Sequence, residues 1–431
     1  MALRVLLISN KFPYPTDDGK KAVLAGFVHY LMQRHGKENV AYVVVGQPVG
    51  TAGELPCETV WLEPPRALEQ AWGVALGLLT SEDKSIQELV TYSPRVGRLL
   101  QQEVTRFRPD ILLLDTIRIG QYFWDANTAP FRRILFMDDL FYLRFARLLQ
   151  MSKDGLGGQI KAAGTFRQSL PRVVRAMLES RHLRDFLYRV EMHRVERREL
   201  ACLRQFDRCL LMNRNEVAQL RARYPEGDVA PVNPYLPDER GSARQIAPGA
   251  PTFIMFGSLR HPVYRASVTA FLEQAMPKIR KRFPEANIDI IGGGADEQLQ
   301  ELCRRYTGNV RLRGFVESID AEFSRATAML APLIAAGGLK LKVVTALCHG
   351  LPVIATPYAV DGIPLAAGTD YVSVDEFEGF ADAMLSIAEP GRNARMSERS
   401  RTVFEQHYGK EAVFAAYDKL LGVKQSGEVV Q

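Results

Sequence analysis

A chain of 431 residues has the length of two large domains or three small ones. Apolar residues make up 47% and charged residues 24%, which supplies apolar surface for packed cores and excludes fibrous and disordered classes. Lys and Arg number 55 against 49 Asp and Glu, and a formal +6 over this length gives no ground for nucleic-acid binding.

Cys57, Cys202, Cys209, Cys303 and Cys348 form no C-x-x-C pair, and five of them suit neither a disulfide framework nor a zinc site. A reducing, cytoplasmic setting is expected. Residues 1–10 hold an apolar run without a charged n-region or a small-residue cleavage site, so they read as a first strand and not a signal peptide. The next longest apolar stretch, residues 71–79, is well short of the ~20 residues a spanning helix needs.

Short apolar runs alternate with longer amphipathic stretches, the pattern of parallel strands joined by crossover helices. In the first half the runs start at Val5, Tyr42, Ile111, Ile134 and Cys209; in the second, at Phe253, Ile288, Val310, Ala328 and Pro352. Strands apolar on nearly every residue are covered on both faces, as in a doubly wound sheet. Residues 231–251 are rich in Pro, Gly, Ala and charge with no apolar period, which marks a linker. The reading is therefore α/β, with two Rossmann-like, doubly wound parallel-sheet domains: 1–235, a linker over 236–250, and 251–410. A helix over 411–431, rich in aromatic and Leu residues, is expected to cross back to the first domain. Residues 144–204 carry fourteen Lys or Arg against six Asp or Glu, an excess larger than that of the whole chain. Interleaved apolar residues suggest a basic helical insertion, either a solvated one or one that meets an anionic membrane surface.

Ligands of open α/β sheets bind beyond the carboxyl ends of the strands, so the residues after each apolar run carry the search for chemistry. Glycines recur there: Gly257, the triplet Gly292-Gly293-Gly294, Gly314, and the pair Gly337-Gly338. The triplet completes no G-x-G-x-x-G and is open to reading as a mere turn. The sharpest segment runs from Pro332 through Gly337-Gly338-Leu339-Lys340-Leu341-Lys342 to Gly350 and on to Ile354: strand, glycine turn, helix, strand. Lys340 and Lys342 in the first turn oppose the helix dipole by roughly 0.3–1 kcal/mol each, a penalty that a bound diphosphate reverses. Two solvated lysines are the bland reading. His349 in the last turn suits the helix dipole, and Cys348 reads as core.

The segment from Pro332 to Thr356 resembles the nucleotide-sugar signature of glycosyltransferase family 4, retaining enzymes of GT-B architecture, in which two Rossmann-like domains face each other across a cleft. Pro13-Tyr14-Pro15-Thr16-Asp17-Asp18-Gly19-Lys20-Lys21 is similar to that family's glycine-containing loop, and Phe256-Gly257-Ser258-Leu259-Arg260-His261-Pro262, Gly314-Phe315-Val316 and the stretch from Thr356 to Ile363 follow in its order. The resemblance implies that Lys342, with Arg260 or Arg265, neutralises the donor diphosphate and its developing charge. It further implies donor-binding roles for Gly19, Gly257, Ser258, Val316, Glu317, Gly337, Gly338, Lys340 and Thr345, with Val316 and Glu317 at the base. No metal or other cofactor is implied. Two departures stand out: Gly337 and Thr345 occupy the places of two family glutamates, the second of which usually bonds the ribose.

In the first domain, Asp138 ends an apolar run and is the candidate for orienting or deprotonating the acceptor hydroxyl, with Met137 at the family's histidine position. Helix capping by Asp139 is the competing explanation. The expected activity is retaining transfer of a sugar from a nucleotide-diphosphate donor to a hydroxyl of a glycan, lipid-linked or small-molecule acceptor. The expected location is cytoplasmic, with peripheral attachment to a membrane. A catalytically altered sugar-nucleotide or glycan-binding subunit is the alternative that Thr345 and Met137 suggest.

Overall fold

The computed structural model describes residues 2–48, 54–80, 84–124, 130–153, 180–237, 244, 250–316, 318–335 and 337–422. The chain divides into two compact units, Met1–Lys153 with Gly164–Pro237 and Val413–Gln431, and Asp154–Ala163 with Asp238–Ala412.

The first unit is built on seven parallel strands: β1 (Val5–Ser9), β2 (Val40–Val45), β3 (Glu58–Leu62), β4 (Ile111–Asp115), β5 (Arg132–Asp138), β6 (Arg208–Leu211) and β7 (Val229–Pro231). Their order is β3-β2-β1-β4-β5-β6-β7, so the chain reverses its direction of winding between β1 and β4. The second unit has six: β8 (Thr252–Phe256), β9 (Asn287–Ile291), β10 (Val310–Gly314), β11 (Ala328–Ala331), β12 (Val353–Ala355) and β13 (Val372–Ser373), ordered β10-β9-β8-β11-β12-β13 with the reversal between β8 and β11. The central strands β1, β2, β4 and β11 are buried at every residue, because helices cover both faces.

Strands β3, β7 and β13 were not among the apolar runs, and all three are sheet edges. An edge strand needs only one buried side, so β3 runs Glu-Thr-Val-Trp-Leu and is buried only at Leu62, while β7 tolerates Pro231 because one side of it pairs with nothing. This corrects the reading of Pro231 as linker: it belongs to β7, and Val232 and Leu236 after it are buried. Most of the expected linker, 238–243 and 245–249, lies outside the described residues. Arg244 donates to Asn393 Oδ1 at 2.7 Å and to the Ala326 carbonyl at 2.6 Å, within the second unit.

Within the first unit, the end of the helix Lys410–Leu421 packs on the helix Gly19–His35. Tyr417 stacks on Phe27 with ring centroids 5.0 Å apart, and buried Asp418 accepts from Tyr30 Oη at 2.9 Å and from Arg34 Nε at 2.8 Å. Residues 423–431 of that expected segment lie outside the described residues.

Residues 154–179 of the expected basic insertion also lie outside them. The helices Phe141–Lys153 and Arg181–Gln205 on either side are not simple amphipathic stripes, because charged residues fill part of the buried face. Arg198 pairs with buried Glu88 at 2.7 Å and lies over the Trp124 ring at 3.4 Å. Glu191 accepts from the backbone N–H groups of Ile86 and Gln87, and burial pushes its carboxyl up to about 7 against those two bonds. Several of this region's charges thus hold helices together and do not face solvent.

Candidate functional site

The second unit gathers its glycines at the β8/β11 reversal. A Cβ on Gly292 would lie 1.9 Å from the Gly257 carbonyl oxygen, and one on Gly294, where φ is +93°, would lie 2.2 Å from Arg260 Cγ. The triplet is therefore more than a turn: it lets the loop after β9 lie against the loop after β8, with Leu259 N–H donating to the Gly293 carbonyl at 3.0 Å. A Cβ on Gly257 would lie 2.9 Å from the Tyr264 ring and 3.2 Å from Lys342 Nζ. Glycine at 257 is what allows the ring and the amine to meet there. Ser258 and Arg260 are exposed on the same loop, and Arg265 is held by Asp296 at 3.3 Å.

The glycine turn Gly337-Gly338 leads into the helix Leu341–Cys348, where the two lysines part company. Lys340 is the N-cap residue and turns back, its Nζ donating to the carbonyls of Gly337 and Gly338. Lys342 lies in the first turn with its Nζ 3.6 Å from the Tyr264 ring centroid. Burial, helped by the charge of Lys340, pulls the Lys342 ammonium down to about 7. Among the described residues no carboxylate pairs with it. Thr345, three residues on, is buried on the same helix, and Val316 is half-buried after β10. Glu317 lies outside the described residues. His349 is fully buried with Nε2 3.2 Å from Asp320.

The first unit has its own cavity of about 540 Å³ at the β1/β4 reversal. Asn10 after β1, Asp115 and Thr116 at the end of β4, and Asp138 at the end of β5 all line it, the position where such sheets bind ligands. Lys20 reaches into it from the helix Gly19–His35, which Gly19 opens and Asp18 caps by accepting from Lys21 N–H at 2.9 Å. Lys20 Nζ lies 2.5 Å from Asp115 and 3.4 Å from Asp138. Burial opposes its charge, but the two carboxylates outweigh burial and hold its pKa above the ordinary lysine value. Asp115 is fixed further by Ser9 Oγ, which donates to it at 2.6 Å.

Asp138 takes a left-handed backbone conformation, φ +74°, and Thr116 does the same at +66°. Two non-glycine residues in that region on one cavity rim are backbone strain in the place where function concentrates it. Burial pushes the Asp138 carboxyl up against the pull of Lys20, and Asp139 and Asp115 add to the rise. Met137 is buried in the core. Asp139 does not cap the next helix: it pairs with Arg144 at 2.7 Å, while Glu199 accepts from the Phe141 and Tyr142 N–H groups and Glu216 from that of Leu140. The carboxylates that sit at this helix start come from distant sequence.

Lys20, Asp115, Thr116, Arg118 and Tyr264 were not singled out from the sequence. Asp115 ends an apolar run as Asp138 does, so the same rule reaches it; Tyr264 carries no sequence signal. Among the described residues no group of three or more His, Cys, Asp and Glu stands where it could hold a metal, and no helix is long and apolar enough to cross a membrane. Asp138 belongs to the first unit's cavity; Gly257, Ser258, Arg260, Gly337, Gly338, Lys340, Lys342 and Thr345 belong to the second unit.

Residues 250–389 match the family described as glycosyl transferases group 1. A phosphatidyl-myo-inositol mannosyltransferase of Mycolicibacterium smegmatis is 32% identical over 143 residues, 30% of this chain and 36% of that protein. The chain thus aligns with about a third of that curated relative's length. Among solved structures, a sucrose-phosphate synthase from Thermosynechococcus elongatus superposes with a TM-score of 0.63 at 15% identity, over 96% of this chain and 97% of that one. A glycosyltransferase from Rickettsia africae gives 0.60 at 10% identity over 97% and 98%. Anabaena Alr3699/HepE, solved with UDP and glucose, gives 0.59 at 12% identity over 98% and 100%. At these identities the structural likeness is one of fold.

Proposed function

We infer, from a chain of GT-B fold whose residues 250–389 match the group 1 glycosyl transferases, that the protein transfers a sugar from a nucleotide-diphosphate donor to an acceptor hydroxyl with retention of the anomeric configuration. The observation that carries this reading is Lys342: an ammonium drawn out of water against an aromatic ring, among glycines at a sheet reversal, with no carboxylate partner among the described residues. Such a cation is costly until an anion arrives. A diphosphate suits it, and charge that grows on the departing diphosphate as the glycosidic bond breaks is stabilised more than the ground state is. Arg260, exposed beside Gly294, supplies a second positive group.

With cationic side chains in that role, transfer needs no metal. The acceptor hydroxyl is taken up in the first unit's cavity, where Asp138 accepts its hydrogen bond or proton. Lys20 bridges Asp115 and Asp138 and sets where the Asp138 carboxyl points. The sugar comes from a relative's chemistry only in kind: a glycosyl group on a nucleotide. Peripheral attachment to an anionic membrane is supported by Leu68 and Trp72, one helical turn apart and 76% and 73% exposed, and by the basic helix Arg181–Gln205 with Phe186 exposed.

The deciding experiment incubates the full chain with a panel of nucleotide sugars and acceptors in EDTA, follows donor consumption, and assigns the product anomer by NMR. Turnover in EDTA with the donor's anomeric configuration kept is the expected result. Nucleotide-sugar binding with no turnover on any acceptor would return the chain to a binding role.

A further inference from the structure

Four cationic side chains line the first unit's cavity, and three are already neutralised. Lys11 pairs with Asp18 at 2.7 Å, Lys20 with Asp115 and Asp138, and Arg144 with Asp139 at 2.7 Å. Arg118 is different. Among the described residues it forms no ion pair, its Nε is buried with no hydrogen-bond partner, and its Cζ lies 5.4 Å from the centre of the Phe141 ring; burial pulls its pKa down against the attraction of Asp115, Asp138 and Asp139. Two residues away, the Thr116 hydroxyl is also buried without a partner, on a backbone held at φ +66°. A guanidinium Nε and a hydroxyl left unsatisfied on one cavity wall cost free energy in the empty protein, and buried polar groups are otherwise almost always paired. An oxyanion satisfies both: it accepts from the guanidinium fork and from the hydroxyl together.

We propose that the first unit's cavity binds an acceptor bearing a compact anion, a phosphate or a carboxylate, which Arg118 and Thr116 hold while the acceptor's hydroxyl faces Asp138. The anion site stands on the cavity itself; calling its occupant the acceptor rests on the transferase reading. The carboxylates that act on Arg118 are each ion-paired elsewhere, Asp115 and Asp138 with Lys20 and Asp139 with Arg144, so none forms an ion pair with Arg118 in the occupant's stead.

The test titrates the full chain with glucose 6-phosphate, methyl glucuronide and neutral methyl glucoside, in the wild type and in Arg118→Ala, Thr116→Val and Lys342→Ala. Either anionic probe is expected to bind more tightly than methyl glucoside, to lose about tenfold or more in affinity in Arg118→Ala and about threefold in Thr116→Val, and to keep its affinity in Lys342→Ala. Which anionic probe is the tighter assigns phosphate or carboxylate. Equal binding of all three probes, affinity unchanged in Arg118→Ala, or loss in Lys342→Ala instead would each overturn the proposal. Should Arg118→Ala fail to fold by circular dichroism, Thr116→Val carries the decision. A nucleotide-diphosphate panel run on the same variants separates the two readings: no nucleotide binding with Arg118-dependent anion binding retained would remove the transferase assignment and leave the anion site standing.

Discussion

The ammonium of Lys342 lies 3.6 Å from the centre of the Tyr264 ring, and the ordinary lysine pKa does not survive there: burial and the neighbouring Lys340 bring it to about 7. The proposed binding of a donor diphosphate at Lys342 requires the charged form. Affinity for an intact nucleotide sugar, whose phosphates do not titrate in this range, is therefore expected to fall about tenfold per pH unit above 7 and to level off below it. Calorimetry in buffers of different ionisation enthalpy checks the cause, because binding near pH 7 must then take up a proton. A flat affinity between pH 6.5 and 9 would contradict it.

The same depressed pKa fixes a stability trend in the ligand-free protein. Between about 7 and the ordinary value of 10.5 the unfolded chain binds the proton that the folded chain has lost, so Lys342 makes stability rise with pH across that window. Lys342→Met removes this contribution and leaves a methylene stem of similar length against Tyr264. The variant is expected to be more stable than the wild type at pH 7, on the order of 1 kcal/mol after allowance for its partial exposure, and to bind nucleotide sugar poorly. Urea unfolding with and without donor reads both effects.

Two signals made the fold legible in the sequence. The strands β1, β4, β8 and β11 are apolar at all but at most one terminal residue because both faces are covered, and in the second unit glycines follow β8 and β9 where backbone must approach backbone. The edge strands β3, β7 and β13 escaped because their chemistry is that of a half-wet surface, as in Glu58–Leu62, whereas the edge strand β10 was found at Val310. Lys342 was found through its place after a glycine turn, yet nothing in the sequence separates it from Lys340, whose amine folds back onto carbonyls two and three residues away. The cavity of the first unit was legible only at Asp138. Its other groups are set by register: Ser9 meets Asp115 because β1 and β4 run in parallel with Ile8 beside Leu114, a pairing 106 residues apart in sequence.

Lys20 holds two carboxylates, and removing it separates their roles. Lys20→Met leaves Asp115 buried with Ser9 as its hydrogen-bond donor and no ion-pair partner, which is expected to cost about 3 kcal/mol of stability, Arg118 still attracting it from a distance. Asp138→Asn keeps the shape and the Lys20 contact while deleting the proton acceptor, so stability is expected to change little and turnover to fall about 10²–10⁴-fold. Thermal unfolding beside initial rates of donor consumption distinguishes the pair. Full turnover in Asp138→Asn would remove that carboxylate from the reaction.

Asp418 fastens the C-terminal helix to the first unit through groups that the sequence places nearly four hundred residues away. It is buried, accepts from Tyr30 Oη and Arg34 Nε, and is ion-paired with Arg34, while Tyr417 beside it stacks on Phe27. Burial raises the Tyr30 hydroxyl's pKa far above the ordinary tyrosine value, with Asp418 adding to the rise, so that hydroxyl stays a donor at any working pH. Asp418→Ala strands the buried phenol, while the Arg34 guanidinium, 43% exposed, turns to water; the substitution is expected to cost about 1–3 kcal/mol. Tyr30→Phe, which removes one donor but leaves the ion pair, is expected to cost about 0.5–1.5 kcal/mol. Hydrogen exchange locates the effect: in Asp418→Ala the amides of the helix Lys410–Leu421 lose protection before those of β1 and β4 do, and uniform loss across the first unit would show that the helix is not fastened at this residue.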